Sequence, residues 1–444
     1  GDQLRTLCLP DGATCFYSAT ALTATLQLAA LLAAAVTLLL AWPSQRTDGT
    51  GRTAVTVSLL LAATGGAVAV AGARDLGSWL VALELATLPV VALAALPGTR
   101  RALAGAVQLL TTSLVSFAML ALAAACWYAA TGSPVLSQSS ALAATSTPQR
   151  AILALSVVLV LGGVAFKLSL VPFHAWTPTA YAGSPLPVTV FLAAVSKVAA
   201  LAALLVVVTA VSALGRSALV AVAVLAVASM TLGNLMALRQ DDVVRLLAWS
   251  TVSQAGWVVV PLLSVSSFGS RASAGYLLTY LVATLVAFAV VMVTVASGRP
   301  GHGRDLMAYQ GLVRTHPWAA GALLLALTSL AGLPPGVLGL IGKVVALRPV
   351  LGEGWWVVGV LAAVNAVLGV AVYLRWVRVL LQPEPTSVDE PQGAAPSQSG
   401  EPTGVSAVAT RSRMHPSHAV ALVIGSAVLV VGCVQPQLLL GLLG

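Results

Sequence analysis

Charged residues are scarce in this sequence. They make up 8% of its 444 residues, against 59% hydrophobic residues, whereas soluble proteins carry about 25% charged residues. This shortage excludes an ordinary soluble domain. The apolar runs of roughly twenty residues predict helices that cross a bilayer, because the strands of a membrane barrel are only about ten residues long. We therefore expect an all-α polytopic membrane protein.

Cysteine is scarce as well. The four cysteines are Cys8, Cys15, Cys126 and Cys433, and they include no CxxC pair. No GxGxxG motif follows a predicted strand either. Since the spacings typical of iron–sulfur, zinc and dinucleotide sites are missing, we expect no redox cofactor and no metal in this chain. Cys8 and Cys15 are expected outside the cell, where a disulfide is one interpretation and two unpaired thiols are the other.

Positive charge exceeds negative charge, and the formal net charge is +9. A basic balance can indicate nucleic-acid binding, but the arginines stand singly or in pairs at predicted helix ends and form no basic stripe. Under our helix count, thirteen arginines fall on one side of the membrane and six on the other. The positive-inside rule makes the richer side cytoplasmic, so the N-terminal segment is expected to be exoplasmic.

The apolar runs predict twelve membrane helices. They lie near residues 19–42, 53–73, 76–97, 101–130, 149–171, 184–210, 217–238, 242–264, 271–297, 316–349, 354–381 and 417–440. Proline removes a backbone donor and glycine loosens a helix, so the fifth helix is predicted to be interrupted along Gly162, Gly163 and Pro172. The tenth is predicted to break at residues 332–336, which read Gly-Leu-Pro-Pro-Gly.

Broken helices in both halves of the chain suggest inverted repeats of five helices each. The repeats are expected over residues 53–210 and 217–381, within a transmembrane core of residues 19–381. Pro, Ser and Gly are enriched after this core, which predicts a flexible loop rather than a domain. The remaining segments are an exoplasmic N-terminal segment (1–18), a flexible cytoplasmic linker (382–416) and a C-terminal transmembrane helix (417–444).

Lysine occurs only three times, as Lys167, Lys197 and Lys343, and each stands inside an apolar run. A cation at such a depth costs several kcal/mol unless it is paired or hydrated. Glu84 is the one acid that lies neither in a predicted loop nor at a helix end. We therefore expect Glu84 to face the interior of the bundle and to pair with Lys167.

A buried lysine can exchange its proton, since burial favours the neutral amine and a nearby carboxylate favours the ammonium. Glu84 and the three lysines are therefore predicted to form a proton path, with His174 as a candidate relay. Three alternatives stay open: the lysines can be anchors that reach the membrane surface, Glu84 can belong to a purely structural ion pair, and His174 can be a loop histidine bonded to a helix-end carbonyl.

Three stretches carry a family resemblance. They are FKLSLVPFHAWTPTAYAGSPLPVTVFLAAVSK (166–197), LGNLMALRQDDVVRLLAWSTVSQAGW (232–257) and DLMAYQGLVRTHPWAAGALLLALTSLAGLPPGVLGLIGK (305–343). In this order they resemble the N-type antiporter-like subunit of bacterial respiratory complex I, the NADH-quinone oxidoreductase. The high Ala, Val and Arg usage resembles actinobacterial members. The chain departs from the family pattern at Thr179, Ala180 and Ala182, where loop acids are lost, and at Gln254, where the family often has histidine.

The resemblance implies fourteen helices for the family, so the first two are expected to be missing from this chain. It implies that Glu84, Lys167, Lys197 and Lys343 translocate protons in the bacterial cell membrane. NADH, FMN, iron–sulfur clusters and quinone are then expected in partner subunits, and the partners are the other membrane and peripheral subunits of complex I. Two other functions stay open: a subunit of a multisubunit sodium/proton antiporter, and a non-pumping structural spacer in the membrane arm.

Overall fold

The computed structural model describes residues 4–8, 15–47, 50–142, 144, 146–212, 215–299, 303–383 and 414–441. Nineteen α-helices lie in these residues. They are α1 (Ala21–Thr47), α2 (Thr50–Gly72), α3 (Leu76–Leu85), α4 (Leu88–Ala95), α5 (Arg100–Thr131), α6 (Gln138–Leu142), α7 (Thr147–Leu168), α8 (Trp176–Gly183), α9 (Leu186–Ala193), α10 (Val195–Ser212), α11 (Arg216–Ala237), α12 (Val243–Val259), α13 (Ser267–Ala296), α14 (Leu312–Thr315), α15 (Pro317–Ala331), α16 (Val337–Gly352), α17 (Trp356–Leu381), α18 (Pro416–Val434) and α19 (Gln437–Leu440). Short 3₁₀ helices cover Val260–Ser264 and Leu306–Tyr309.

The all-α polytopic architecture is confirmed. Eleven spans of the described residues are long and apolar enough to cross a membrane. The remaining expected crossing, near residues 316–349, is divided into α15 and α16. The predicted inverted repeats stay a prediction, and residues 384–413 of the predicted linker lie outside the described residues.

A small β-hairpin precedes α1. Strands β1 (Leu4–Cys8) and β2 (Cys15–Ala19) pair antiparallel, with Cys8 opposite Cys15, and a disulfide joins the two cysteines. The hairpin is fixed to the bundle by its second strand, because the Gln27 amide donates to the Tyr17 hydroxyl at 2.6 Å. The sequence predicted a segment here but no strands.

Two helix breaks fall close to the predicted places. The first separates α7 from α8, but α7 runs through Gly162 and Gly163 to Leu168 without interruption. Glycine keeps its backbone donor, and at Gly163 the missing Cβ lets Leu120 of α5 pack against the helix backbone. The second break separates α15 from α16 at residues 332–336, as predicted.

Two further breaks were not predicted. The expected helix over residues 76–97 divides into α3 and α4, and there the Thr87 N–H donates to the Glu84 carbonyl at 2.9 Å. The expected helix over 184–210 divides into α9 and α10 at Ala194, whose φ and ψ are −115° and −79°. Pro89 begins the first turn of α4 and marks the first of these breaks, although the prediction did not use it, whereas no glycine or proline lies at Ala194.

Uncharged polar contacts and one histidine join distant helices. The sequence contains two asparagines, and they meet: Asn234 of α11 donates to the backbone oxygen of Asn365 of α17 at 2.9 Å. Ser253 of α12 donates to the Asn234 side chain at 2.9 Å. In α18, a ring nitrogen of the buried His418 lies 3.1 Å from the backbone oxygen of Leu40 in α1. These bonds fasten helices that are far apart in the chain.

Candidate functional site

Glu84 and Lys167 form a buried ion pair between α3 and α7. The Lys167 Nζ lies 2.9 Å from Glu84 Oε1, and the two side chains are 6% and 13% exposed. The ammonium also donates to Thr87 Oγ1 at 2.8 Å and to Ser113 Oγ at 3.3 Å. All three N–H donors of the ammonium therefore have acceptors, which is what a charge at this depth requires.

Lys197 lies in the first turn of α10 and is 2% exposed. Its ammonium donates to Ser169 Oγ at 2.6 Å and to the backbone oxygen of Lys167 at 3.3 Å. It also lies 5.1 Å from the ring centroid of Trp176, within the range of a cation–π contact. Within the described part of the chain, Lys197 forms no ion pair, so its charge is balanced only by dipoles and an aromatic face.

Lys343 lies at the break between α15 and α16. Its ammonium donates to the backbone oxygens of Ala331 at 2.6 Å and Leu330 at 3.1 Å. These carbonyls form the C-terminal end of α15, where the helix dipole favours a cation. The ring of Trp257 lies 5.6 Å from the ammonium. The four candidate residues therefore form two groups: Glu84, Lys167 and Lys197 are joined by direct contacts, and Lys343 lies at the second break.

A cavity of about 20 Å³ lies beside the first group. It is lined by Thr87, Lys167, Trp176 and Ser196, among others. A volume of this size holds about one water molecule, and the lining offers polar partners for it. One water can therefore stand between the Lys167 pair and the helix that carries Lys197.

His174 lies in the break between α7 and α8. Its ring packs against the ring of Trp249, with 5.2 Å between centroids. In the described structure no hydrogen bond joins it to any of the three lysines. Its relay role stays a prediction beside the alternative of a loop histidine.

Sequence reasoning missed a group of uncharged polar residues between α12, α13 and α17. Gln254 donates to the Tyr373 hydroxyl at 2.9 Å and accepts a hydrogen bond from the Tyr276 hydroxyl. The Tyr276 ring stacks on the ring of Trp257, whose face also contacts the Lys343 ammonium. Hydroxyl and amide groups inside apolar runs were the signal for these residues; the sequence had singled out Gln254 but not its two tyrosine partners.

Over the residues that the structure describes, no three His, Cys, Asp or Glu side chains gather in a way that could hold a metal ion. The groups around the three lysines are amines, one carboxylate, hydroxyls and carbonyls. This arrangement can hold and pass protons.

The chain is similar to a known family of membrane proteins. The family described as NADH:quinone oxidoreductase/Mrp antiporter, TM matches residues 73–369. NADH-quinone oxidoreductase subunit N of Salinispora tropica is 40% identical over 336 residues, which are 72% of this chain and 64% of that protein. NADH-quinone oxidoreductase subunit N 2 of Streptomyces griseus is 36% identical over 90% of this chain and 77% of its own length. The chain thus spans slightly under two thirds of the Salinispora relative.

Two solved structures have folds similar to that of this chain. A chain of respiratory complex I from Thermus thermophilus, solved with bound aureothin, has a TM-score of 0.76 and 32% identity, covering 97% of this chain and 87% of that one. A chain of the Mrp complex from Dietzia sp. has a TM-score of 0.79 at 22% identity, covering 96% and 83%, which shows a shared fold. With eleven apolar spans and bacterial relatives, the chain is a protein of the bacterial cell membrane. By its family match and its N-type relatives, this chain belongs to the NADH:quinone oxidoreductase/Mrp antiporter transmembrane family, among the N-type subunits.

Proposed function

We propose that this chain is a proton-translocating membrane-arm subunit of NADH-quinone oxidoreductase. The observation that carries the proposal is the buried ion pair of Glu84 and Lys167 beside Lys197, whose ammonium donates to the Lys167 backbone oxygen at the end of α7. Three ionisable groups gathered around one helix end, with room for a water beside Lys167, have the parts of a proton path.

Each residue has a role in this proposal. Glu84 stabilises a proton held by Lys167, and weakening of that pair favours release of the proton. Lys197 is the next proton carrier, and Lys343 serves the second half of the path. Ser, Thr and Tyr hydroxyls with ordered water complete the connection, since hydroxyls both donate and accept.

The redox chemistry belongs to other subunits in this proposal. NADH, FMN, iron–sulfur clusters and quinone are bound by the partners, and this chain takes part as one subunit of the translocating enzyme. Its partners are the other membrane and peripheral subunits of complex I. The complex I assembly that contains the Thermus relative supports this assignment.

The test replaces Lys197 by Met and measures protons moved per NADH oxidised in inverted membrane vesicles. We expect a large loss of pumping at normal assembly, because methionine keeps the length of the side chain and removes its proton-binding group. The matched control is Arg378→Met, since Arg378 is an exposed cation near the end of α17. Unchanged pumping in the Lys197 variant would favour a structural spacer instead.

A sodium/proton antiporter subunit is the other function to separate. The fold match to the Mrp complex supports it only at the level of architecture. Affinity purification of the native chain decides between the two: recovery with flavin and iron–sulfur subunits supports the proposal, and recovery with antiporter subunits alone contradicts it.

A further inference from the structure

A serine in the left-handed backbone region stands where α7 ends. Ser169 has φ of +68° and ψ of 34°, and its side chain is fully buried. Glycine is the usual residue at such a position, because a Cβ is strained there. A buried serine in this strained conformation is therefore expected to form hydrogen bonds through its hydroxyl that glycine cannot form.

The hydroxyl of Ser169 receives two short hydrogen bonds. Lys197 Nζ donates to it at 2.6 Å, and Thr177 Oγ1 of α8 also donates at 2.6 Å. Two donors occupy the lone pairs of the oxygen, so the Ser169 hydroxyl is held in one orientation. Thr177 therefore keeps an acceptor lone pair directed at the Lys197 ammonium.

The same short piece of backbone serves both lysines. The other acceptor of Lys197 is the backbone oxygen of Lys167, two residues before Ser169. The Lys167 side chain forms the ion pair with Glu84. A rearrangement of that ion pair that moves residues 167–169 therefore moves both acceptors of the Lys197 ammonium.

We propose that Ser169 is a positioning residue that docks the Lys197 ammonium on the end of α7 and so couples Lys197 to the Glu84–Lys167 pair. The inference rests on the proposed function, because it assumes that Lys197 carries a translocated proton. It adds a residue that is not ionisable to the path, together with Thr177, which orients it.

The competing explanation for Ser169 is that it only caps the C-terminal end of α7. The Ser169 N–H donates to the Phe166 carbonyl at 3.0 Å, and any residue that adopts the left-handed conformation can make this bond. Glycine makes it with less strain. Ser169→Gly therefore separates the two explanations, since it preserves the cap and removes the hydroxyl.

The experiment uses the whole assembled complex in inverted membrane vesicles and measures protons moved per NADH oxidised. Ser169→Gly is expected to assemble normally and to weaken the binding of the Lys197 ammonium at the end of α7 about tenfold, as when a hydrogen bond to a charged group is lost. The complex should then move clearly fewer protons per NADH than the wild type. Ser169→Ala should behave in the same way. Thr177→Val should also lose pumping, and Thr177→Ser should pump several-fold better than Thr177→Val because it restores the donor.

The matched control is Ser156→Ala. Ser156 is also a buried serine of α7, but its hydroxyl donates to the Ala123 carbonyl at 2.7 Å. Its removal should leave the proton-to-NADH ratio at the wild-type value, which shows that loss of a buried serine in α7 is not enough to stop pumping.

The outcomes are distinct. Wild-type pumping by an assembled Ser169→Gly variant overturns the inference. If that variant does not assemble, the Thr177 pair decides, and equal pumping by Thr177→Val and Thr177→Ser overturns it. Lys197→Met is measured in parallel: normal pumping there refutes the proposed function itself, whereas a loss there combined with normal Ser169→Gly refutes only the role of Ser169.

Discussion

Each of the three lysines has a buried ammonium group, and each ammonium is stabilised by a different set of acceptors. Lys167 has a carboxylate and two hydroxyls, Lys197 has a hydroxyl and a carbonyl, and Lys343 has two carbonyls. Among the contacts of the described residues, only those of Lys167 therefore include an opposite charge. Removal of one partner of a buried ion pair costs about 3–5 kcal/mol, because the other charge is left buried without compensation.

This dependence predicts a non-additive result for Glu84 and Lys167. Glu84→Gln and Lys167→Met should each lower pumping and stability. The double variant should be less destabilised than the sum of the two, by about 1–3 kcal/mol, because no unpaired charge remains in it. Thermal unfolding of the purified complex and proton pumping in vesicles measure both effects.

The control for this prediction is Glu353→Gln. Glu353 is an exposed carboxylate that follows α16. Glu353→Gln should change neither the unfolding temperature nor proton pumping. Strictly additive losses for the Glu84 and Lys167 variants would show that the two side chains are not energetically coupled.

The ion pair was predictable from the sequence, and its hydroxyl partners were not. Glu84 was the single mid-helix acid, so a buried cation was its expected partner. Thr87 gave no such sign, because a threonine in a helix commonly bonds its own preceding turn, and Thr87 also donates to the Leu83 carbonyl at 2.8 Å. Which hydroxyl faces a lysine depends on tertiary packing.

At the scale of elements, the helix breaks place each ionisable group near a helix end. Glu84 ends α3, Lys167 ends α7, Lys197 begins α10, and Lys343 lies in the second turn of α16. The C-terminal end of a helix carries carbonyls without an internal partner. Those at the ends of α7 and α15 accept hydrogen bonds from Lys197 and Lys343. The breaks marked by proline and glycine were predictable, and Pro89 marks the one near Thr87 as well, whereas no residue type marks the break at Ala194.

The break between α15 and α16 predicts a strong effect at Gly339. A Cβ on Gly339 would overlap the Ser329 carbonyl oxygen of α15, so Gly339→Ala must push the two half-helices apart. Overpacking of this kind costs about 1–3 kcal/mol. We expect a lower unfolding temperature and a smaller yield of assembled complex.

Gly321 provides the matched control on α15. A Cβ there would meet no atom within 4 Å, so Gly321→Ala should be neutral or stabilising, by up to about 1 kcal/mol from helix propensity. Equal unfolding temperatures for the Gly339 and Gly321 variants would contradict the close packing at the break.

At the scale of the whole molecule, hydropathy predicted twelve apolar crossings in the observed order; eleven are found as candidate spans in the described residues and the twelfth is divided into α15 and α16. Their boundaries agree with the described helices to within a few residues at most ends. The hairpin before α1 was not predicted, because five-residue strands such as LRTLC and CFYSA are too short for a periodic pattern. The disulfide left open by the sequence is formed in the structure.

The exoplasmic position predicted for the hairpin can be tested with a membrane-impermeant maleimide. Cys126 and Cys433 are free and half-buried, so the background carries Cys126→Ala and Cys433→Ala. In right-side-out cells with permeabilised walls, labelling of Cys8 and Cys15 is expected only after a reductant is added, since the disulfide blocks both thiols.

Inverted vesicles provide the comparison for this labelling. There the hairpin should be protected with or without reductant. Labelling without reductant would show that the thiols are free, and labelling only in inverted vesicles would place the hairpin on the cytoplasmic side.

The contact between His418 and Leu40 has a consequence for how α18 is held in the bundle. It joins α18 to α1, the last long helix of the described chain to its earliest. Packing of α18 against α1 and α13 accompanies this bond. This hydrogen bond and the packing against α1 and α13 therefore hold α18 directly against the earliest long helix of the described chain.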